Sequence, residues 1–179
     1  MNREIHDHLV ALHPECSSAV EISGTSHAAF PWRTYRPTRF EELDLCAPPS
    51  GLETYDVVIC EQVLEHVVDP WRAALTLHDL CCPGGHVVVS TPFLVRVHPT
   101  PDDFWRFTED GLRRLLETAG LVVDRVGSWG SKRAVQGNLR RFPPKRPWRS
   151  LRNEPEVPVV VWAFGHRPPG ERPPGGSSE

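Results

Sequence analysis

Residues 53–93, ETYDVVICEQVLEHVVDPWRAALTLHDLCCPGGHVVVSTPF, limit what this chain can fold into more than any other stretch. Residues 55–60 (YDVVIC) and 86–91 (HVVVST) are short apolar runs rich in β-branched residues. That is the pattern of strands buried on both faces. Between them Asp69 is placed to cap a helix, and Pro70 stands where its missing N–H costs nothing. Trp71, Ala74, Leu75, His78 and Cys82 recur at helical spacing and predict one buried face. Pro83, Gly84 and Gly85 stop the helix and turn the chain. Two buried strands joined by a crossover helix make a right-handed βαβ unit with parallel strands. In such sheets ligands sit beyond the carboxyl ends of the strands. Here those ends carry Cys60, Glu61, Gln62 and Ser90, Thr91, Pro92.

Upstream, Ile5, Leu9 and Leu12 share one face of a short covering helix. Residues 18–22 (SAVEI) read as a first strand, ending in Glu21 and the small residues Ser23, Gly24, Thr25 and Ser26. An acid followed by small residues lets a ligand approach the backbone; a plain strand-to-loop turn needs the same residues. Pro31 and the short span before Tyr35 leave little room for a crossover helix, which usually needs a dozen residues or more. A second strand is expected over 33–40, followed by Glu41, Glu42, Asp44, Leu45 and Cys46. Downstream of the central unit, residues 93–108 (FLVRVHPTPDDFWRFT) form a loop dense in polar and aromatic side chains. Two readings of it stand together. His98, with an imidazole that titrates near neutral pH, can act as a base. Alternatively Asp103 pairs with Arg106 over packed Phe104, Trp105 and Phe107. Thr108 caps a helix carrying Leu112, Leu115, Leu116 and Ala119, which Gly120 ends. Residues 121–126 and 157–164 read as strands, with Pro158 at a strand start or on an edge.

A chain of 179 residues with 39% hydrophobic and 24% charged residues predicts a single domain over 1–165. Residues 127–156 form a basic, Pro-interrupted insert before the last strand, and 166–179 a disordered tail. The insert mixes Lys132, Arg133, Arg140, Arg141, Lys145, Arg146, Arg149 and Arg152 with Trp129, Phe142 and Trp148, a combination open to an anionic partner. At a net charge of −3 the whole chain is no nucleic-acid polycation, and a solvated loop covering the site is the commoner explanation. No apolar run reaches the ~20 residues that cross a bilayer, and the start lacks a signal peptide's apolar core. The five cysteines show no CxxC spacing and are read as reduced core thiols of a cytoplasmic protein. No metal site is assigned.

Three segments carry a family resemblance. YDVVICEQVLEHVVDPWRAAL resembles the fourth strand and "LEHV.DP" signature of class I S-adenosylmethionine-dependent methyltransferases of the type 11-like group. LHDLCCPGGHVVVSTPF resembles their "L.PGG" turn and fifth strand. DDFWRFTEDGLRRLLETAGL resembles their "D.WRfT..gl..ll..aGf" segment. The resemblance spans about residues 55–121. It implies an α/β, Rossmann-like fold: a mostly parallel seven-stranded sheet, helices on both faces, an antiparallel edge strand. It implies S-adenosylmethionine as cofactor. Glu21, Ser23, Gly24 and Thr25 then fall where the first motif wraps the methionine part. Asp44 and Leu45 fall near the adenosine-binding acidic motif, with Glu41 and Glu42 as competing acids. Cys60, Glu61, Gln62 and His66 fall at the fourth strand's end. The first motif usually has several glycines, and here Gly24 stands alone.

The implied function is methyl transfer to O or N of a small molecule, natural product or sugar-like. His98 is the candidate base and Asp103 its orienter, both counted as catalytic; Trp105 and Arg106 are the candidate acceptor-binding residues, Arg106 through a carboxylate or phosphate. A non-catalytic scaffold of the same fold is the alternative. Neither membrane nor nucleic acid is the expected partner, and a homodimer could complete the site.

Overall fold

The computed structural model describes residues 3–99, 101–140 and 152–170. Six strands form one sheet: β1 (Ser18–Glu21), β2 (Thr34–Pro37), β3 (Tyr55–Glu61), β4 (Cys81–Pro92), β5 (Val122–Gly130) and β6 (Pro158–His166), in the order β2-β1-β3-β4-β6-β5. The first four are parallel to one another, and β6 runs antiparallel to both β4 and β5. The sheet is thus mostly parallel, with helices on both faces. Helix α1 (Arg3–Ala11) seats Ile5 and Leu9 against Val57, Ile59, Val88 and Phe164. On the opposite face α2 (Pro70–Leu80) and α3 (Glu109–Thr118) cover Val58, Cys60, Val87, Val89 and Val161. A further helix, α4, spans Lys132–Arg140. Among the described residues no helix is long and apolar enough to cross a membrane.

Two topological expectations are corrected. Among the described residues the sheet has six strands, not seven, because residues 38–54 make turns. There Asp44 binds its own loop, accepting from Cys46 N at 2.8 Å, and Pro48 and Pro49 follow. The antiparallel strand is also not an edge. Strand β6 is buried on both sides, Val161 and Ala163 on one face and Trp162 and Phe164 on the other. Such a strand belongs inside a sheet, where both ladders of N–H and C=O groups are paired. Strand β5, carrying exposed Asp124 and Arg125, takes the edge instead.

The central unit forms as its sequence dictates. Asp69 accepts from Arg72 N at 3.0 Å as the N-cap of α2, with Pro70 at the first helical position. The phase of the helix differs from expectation: Ala73, Ala74, Leu77 and Leu80 are buried, whereas Trp71 is 51% and Leu75 42% exposed. Small alanines let the helix lie close on the sheet, and the Trp71 ring meets Trp105 edge-on at 5.5 Å instead. The Pro83-Gly84-Gly85 turn is absorbed into β4; a Cβ on Gly85 would lie 3.0 Å from the Asp56 carbonyl, so this close strand approach needs glycine. Helix α3 follows its expected spacing, capped by Thr108, with Leu112, Leu115 and Leu116 buried. Residues 22–33 contain no helix, as the short span and Pro31 required. The basic insert divides: residues 127–130 extend β5, α4 follows Ser131, whose Oγ accepts from Ala134 N at 3.2 Å, and Arg141, Phe142, Lys145, Arg146, Trp148 and Arg149 lie outside the described residues. Strand β6 takes in His166, where the tail was expected to begin; residues 171–179 lie outside the described ones.

Candidate functional site at the carboxyl edge

Strands β1 and β3 leave the sheet in the same way. Each is followed by a residue in the left-handed region, Ser23 at φ 54° and Gln62 at φ 56°. Non-glycine residues adopt that conformation rarely, and such strain concentrates at working sites. Between these two exits a polar cluster is built. Glu21, at the end of β1, is 2% exposed. Its carboxylate accepts from Ser26 N (2.8 Å), His27 N (3.0 Å) and the Tyr35 hydroxyl (2.6 Å). One carboxylate therefore replaces the missing crossover helix as the organiser of the loop 22–33. Gly24 lies so close that a Cβ there would meet Glu21 Oε1 at 2.6 Å. Fully buried His27 reaches the Glu61 carboxylate through Nε2 at 2.6 Å. Ser90 Oγ donates to Glu61 Oε1 at 3.1 Å and accepts from Gln62 Nε2 at 3.1 Å. Glu21, Ser23, Gly24, Thr25, Glu61 and Gln62 thus occupy one edge.

A second cluster follows within a few residues of Gln62. Glu65 is fully buried, and neither carboxylate oxygen has a hydrogen-bond donor. Burial pushes its carboxyl well above the usual range, against a downward pull from its own backbone N–H, which lies near it outside hydrogen-bond geometry, and from His66 and Arg106. Its backbone carbonyl accepts from Phe104 N at 2.7 Å and Trp105 N at 3.3 Å, stitching residues 62–67 to the loop 93–108. His98 is brought there: its Nε2 is 4.0 Å and the Nε2 of His66 3.6 Å from Glu65 Oε1, and the two rings meet edge-on at 5.2 Å. Asp103 accepts from His98 N at 2.9 Å and lies 3.3 Å from His98 Nδ1. Hydrogen bonds from Arg106 hold the Asp103 carboxyl down at about 2.

His66 joins Glu65 and His98 rather than Glu61. The remaining candidates make other contacts. Cys60 is buried in the core under α2 and α3, and burial raises its thiol far above the ordinary value. Leu45 is also core, its carbonyl accepting from Thr76 Oγ at 2.8 Å. Asp44 turns back on Cys46 N. Glu42 lines a cavity of about 230 Å³ with Val20, Arg36, Thr38 and Tyr55 on this flank of the sheet. Trp105 donates from Nε1 to Val67 O at 2.8 Å. Arg106 spends its guanidinium on Asp103 and on the carbonyls of Trp105 and Arg96, the pairing weighed from the sequence, although Phe104, expected to pack beneath it, is 49% exposed. His27 and Glu65 were not foreseen. Nothing in the spacing marks His27; the Glu65-His66 pair was visible, but which of its members faces inward was not.

A family profile described as "Methyltransferase domain" matches residues 8–126. A ubiquinone biosynthesis O-methyltransferase of Marinobacter nauticus is 44% identical over 57 residues, 32% of this chain and 23% of that protein. Another from Caulobacter sp. is 33% identical over 113 residues, 54% of this chain and 42% of that protein. The chain therefore matches less than half the length of either relative. Among solved structures, the 1,6-didemethyltoxoflavin-N1-methyltransferase of Burkholderia thailandensis superposes with a TM-score of 0.63 at 14% identity, covering 93% of this chain and 77% of that one. At that identity the likeness concerns the fold.

Proposed function

This chain belongs to the methyltransferase-domain family of class I S-adenosylmethionine-dependent methyltransferases, and on that premise we propose that it transfers a methyl group to O or N of a small-molecule acceptor, natural-product or sugar-like in kind. The carrying observation is the convergence, at one sheet edge, of the Glu21–Glu61–Gln62 cluster with the Glu65–His98 cluster. The fold implies a capacity for S-adenosylmethionine, whose sulfonium supplies the methyl and its own leaving group. The edge suits that cofactor. Among the described residues the N–H groups of Gly24 and Thr25 have no acceptor and could hold a carboxylate, while Glu61 and Gln62 offer polar atoms beside them. Asp44 and Glu42 belong to the flank assigned to the adenosine end.

The protein's own work is then alignment and water exclusion, for which orientation contributes roughly 7–11 kcal/mol. An acceptor hydroxyl also needs its proton removed. Asp103 orients His98 through Nδ1, which turns Nε2 toward Glu65 and the acceptor side. The matched relatives are O-methyltransferases by name, which supports an oxygen acceptor. Calorimetry with S-adenosylhomocysteine tests the reading: saturable binding is expected, and no heat at millimolar ligand would overturn it in favour of a non-catalytic scaffold. His98→Ala should cut turnover about 10²–10⁴-fold while leaving that affinity unchanged; unaltered turnover would remove His98 from the chemistry.

A further inference from the structure

We propose that Glu65, His66 and His98 form a binding site for one divalent transition-metal cation of the zinc type. One ligand atom from each lies within 4.8 Å of the others. Both Nε2 atoms face the same oxygen, Glu65 Oε1, at 3.6 and 4.0 Å. Ligands 2.0–2.1 Å from a tetrahedral metal stand roughly 3.4 Å apart, so the two edges to Glu65 would shorten by roughly 0.2 and 0.6 Å, with a matching turn of the imidazoles, to close the set. Glu65 is the independent observation. A fully buried carboxylate whose two oxygens lack any donor is costly to keep, and a cation is the partner that two converging imidazoles would share with it.

The imidazoles are also prepared for the task. The Nδ1–H of His66 donates to the Asp102 carbonyl, which can only accept, so the lone pair is on Nε2. Nδ1 of His98 lies 3.3 Å from the Asp103 carboxylate and 3.3 Å from the Arg96 carbonyl, which orients its ring likewise. Metal-binding histidines are held by such partners on the far nitrogen. Two nitrogens and one carboxylate oxygen favour zinc, cobalt, nickel or iron(II) over magnesium or calcium. Three protein ligands leave coordination positions open. The histidine side chains are 17% and 23% exposed, so the open side is reached from solvent. The metal site stands on this geometry alone; its use rests on the reading above, in which a cation here would lower the pKa of an acceptor hydroxyl. His98 would then ligate instead of taking the proton, the acidified hydroxyl would lose its proton to solvent water, and the alkoxide would take the methyl from the sulfonium.

The test uses the full chain, freed of any affinity tag and stripped with chelator. Cobalt(II) titrated into it should give a visible d–d spectrum saturating at one equivalent, displaced by zinc and untouched by magnesium. Glu65→Gln and His98→Gln should each weaken cobalt binding about 100-fold or more, and Asp103→Asn about 10–100-fold. His98 is on a surface loop, so its variant decides the matter if Glu65→Gln does not fold. Absent saturable binding, or binding unchanged in His98→Gln, would overturn the site. S-adenosylhomocysteine calorimetry on the same stripped protein separates the outcomes: its failure removes the methyltransferase reading, not the metal site.

Discussion

Glu21 and Glu65 are both buried carboxylates, one at the end of β1 and the other just beyond β3, and the chain treats them in opposite ways. Glu21 takes three donors and in return fixes a loop that has no helix to order it. Glu65 takes none, although His66 and His98 stand within 4.0 Å. A satisfied buried charge stabilises the scaffold; an unsatisfied one costs stability and persists where a ligand completes it. The first is therefore architecture at the carboxyl edge, and the second is the group on which the proposed cation site rests.

Substitution should separate the two. The largest effect is expected for Glu21→Ala, which strands the buried His27 amide, the part-buried Ser26 amide and the Tyr35 hydroxyl. It should lower unfolding free energy by on the order of 3–5 kcal/mol in urea titrations. A loss under about 1 kcal/mol would mean that the loop is held by something else. Next is Glu65→Leu in metal-free protein, which should be neutral or stabilising by about 1 kcal/mol, at the expense of cobalt binding and activity. Marked destabilisation would erase the contrast. The smallest effect concerns a half-buried imidazole, that of His8. His8 Nε2 has no hydrogen bond, and the ring stacks on Phe164 at 3.9 Å. Burial takes its pKa down to about 4; His86 and Arg125 push the same way and Asp124 opposes them. The unfolded chain, titrating near about 6.5, binds the proton first as pH falls. The contribution of neutral His8 is therefore whole above about pH 6.5 and is lost as pH falls toward 4. His8→Phe keeps the stacking and should flatten that limb of a thermal-melt profile; an unchanged limb would assign it to other groups.

Local sequence carried much of this fold. The cap at Asp69, the strands at 55–60 and 86–91 and the α3 spacing were legible because capping and periodicity act over a few residues. The Asp103–Arg106 pair was legible for the same reason, three residues apart. The phase of α2 was not, since Trp71 and His78 suit a helix face as well as Ala73 and Leu77 do, and only packing against the sheet chose between them. Strand 157–164 was visible as a strand, but its position inside the sheet depends on partners far away in sequence.

What the sequence determined by itself was the βαβ centre, its family, and the cluster of polar residues at strand ends. What tertiary structure decided was which of those residues face one another. His27 meets Glu61 across 34 positions, and His98 meets Glu65 across a comparable gap, joined by backbone hydrogen bonds from Phe104 and Trp105. Neither pairing follows from periodicity, because a carboxylate finds its partner through space, and that space exists only once the sheet has closed around it.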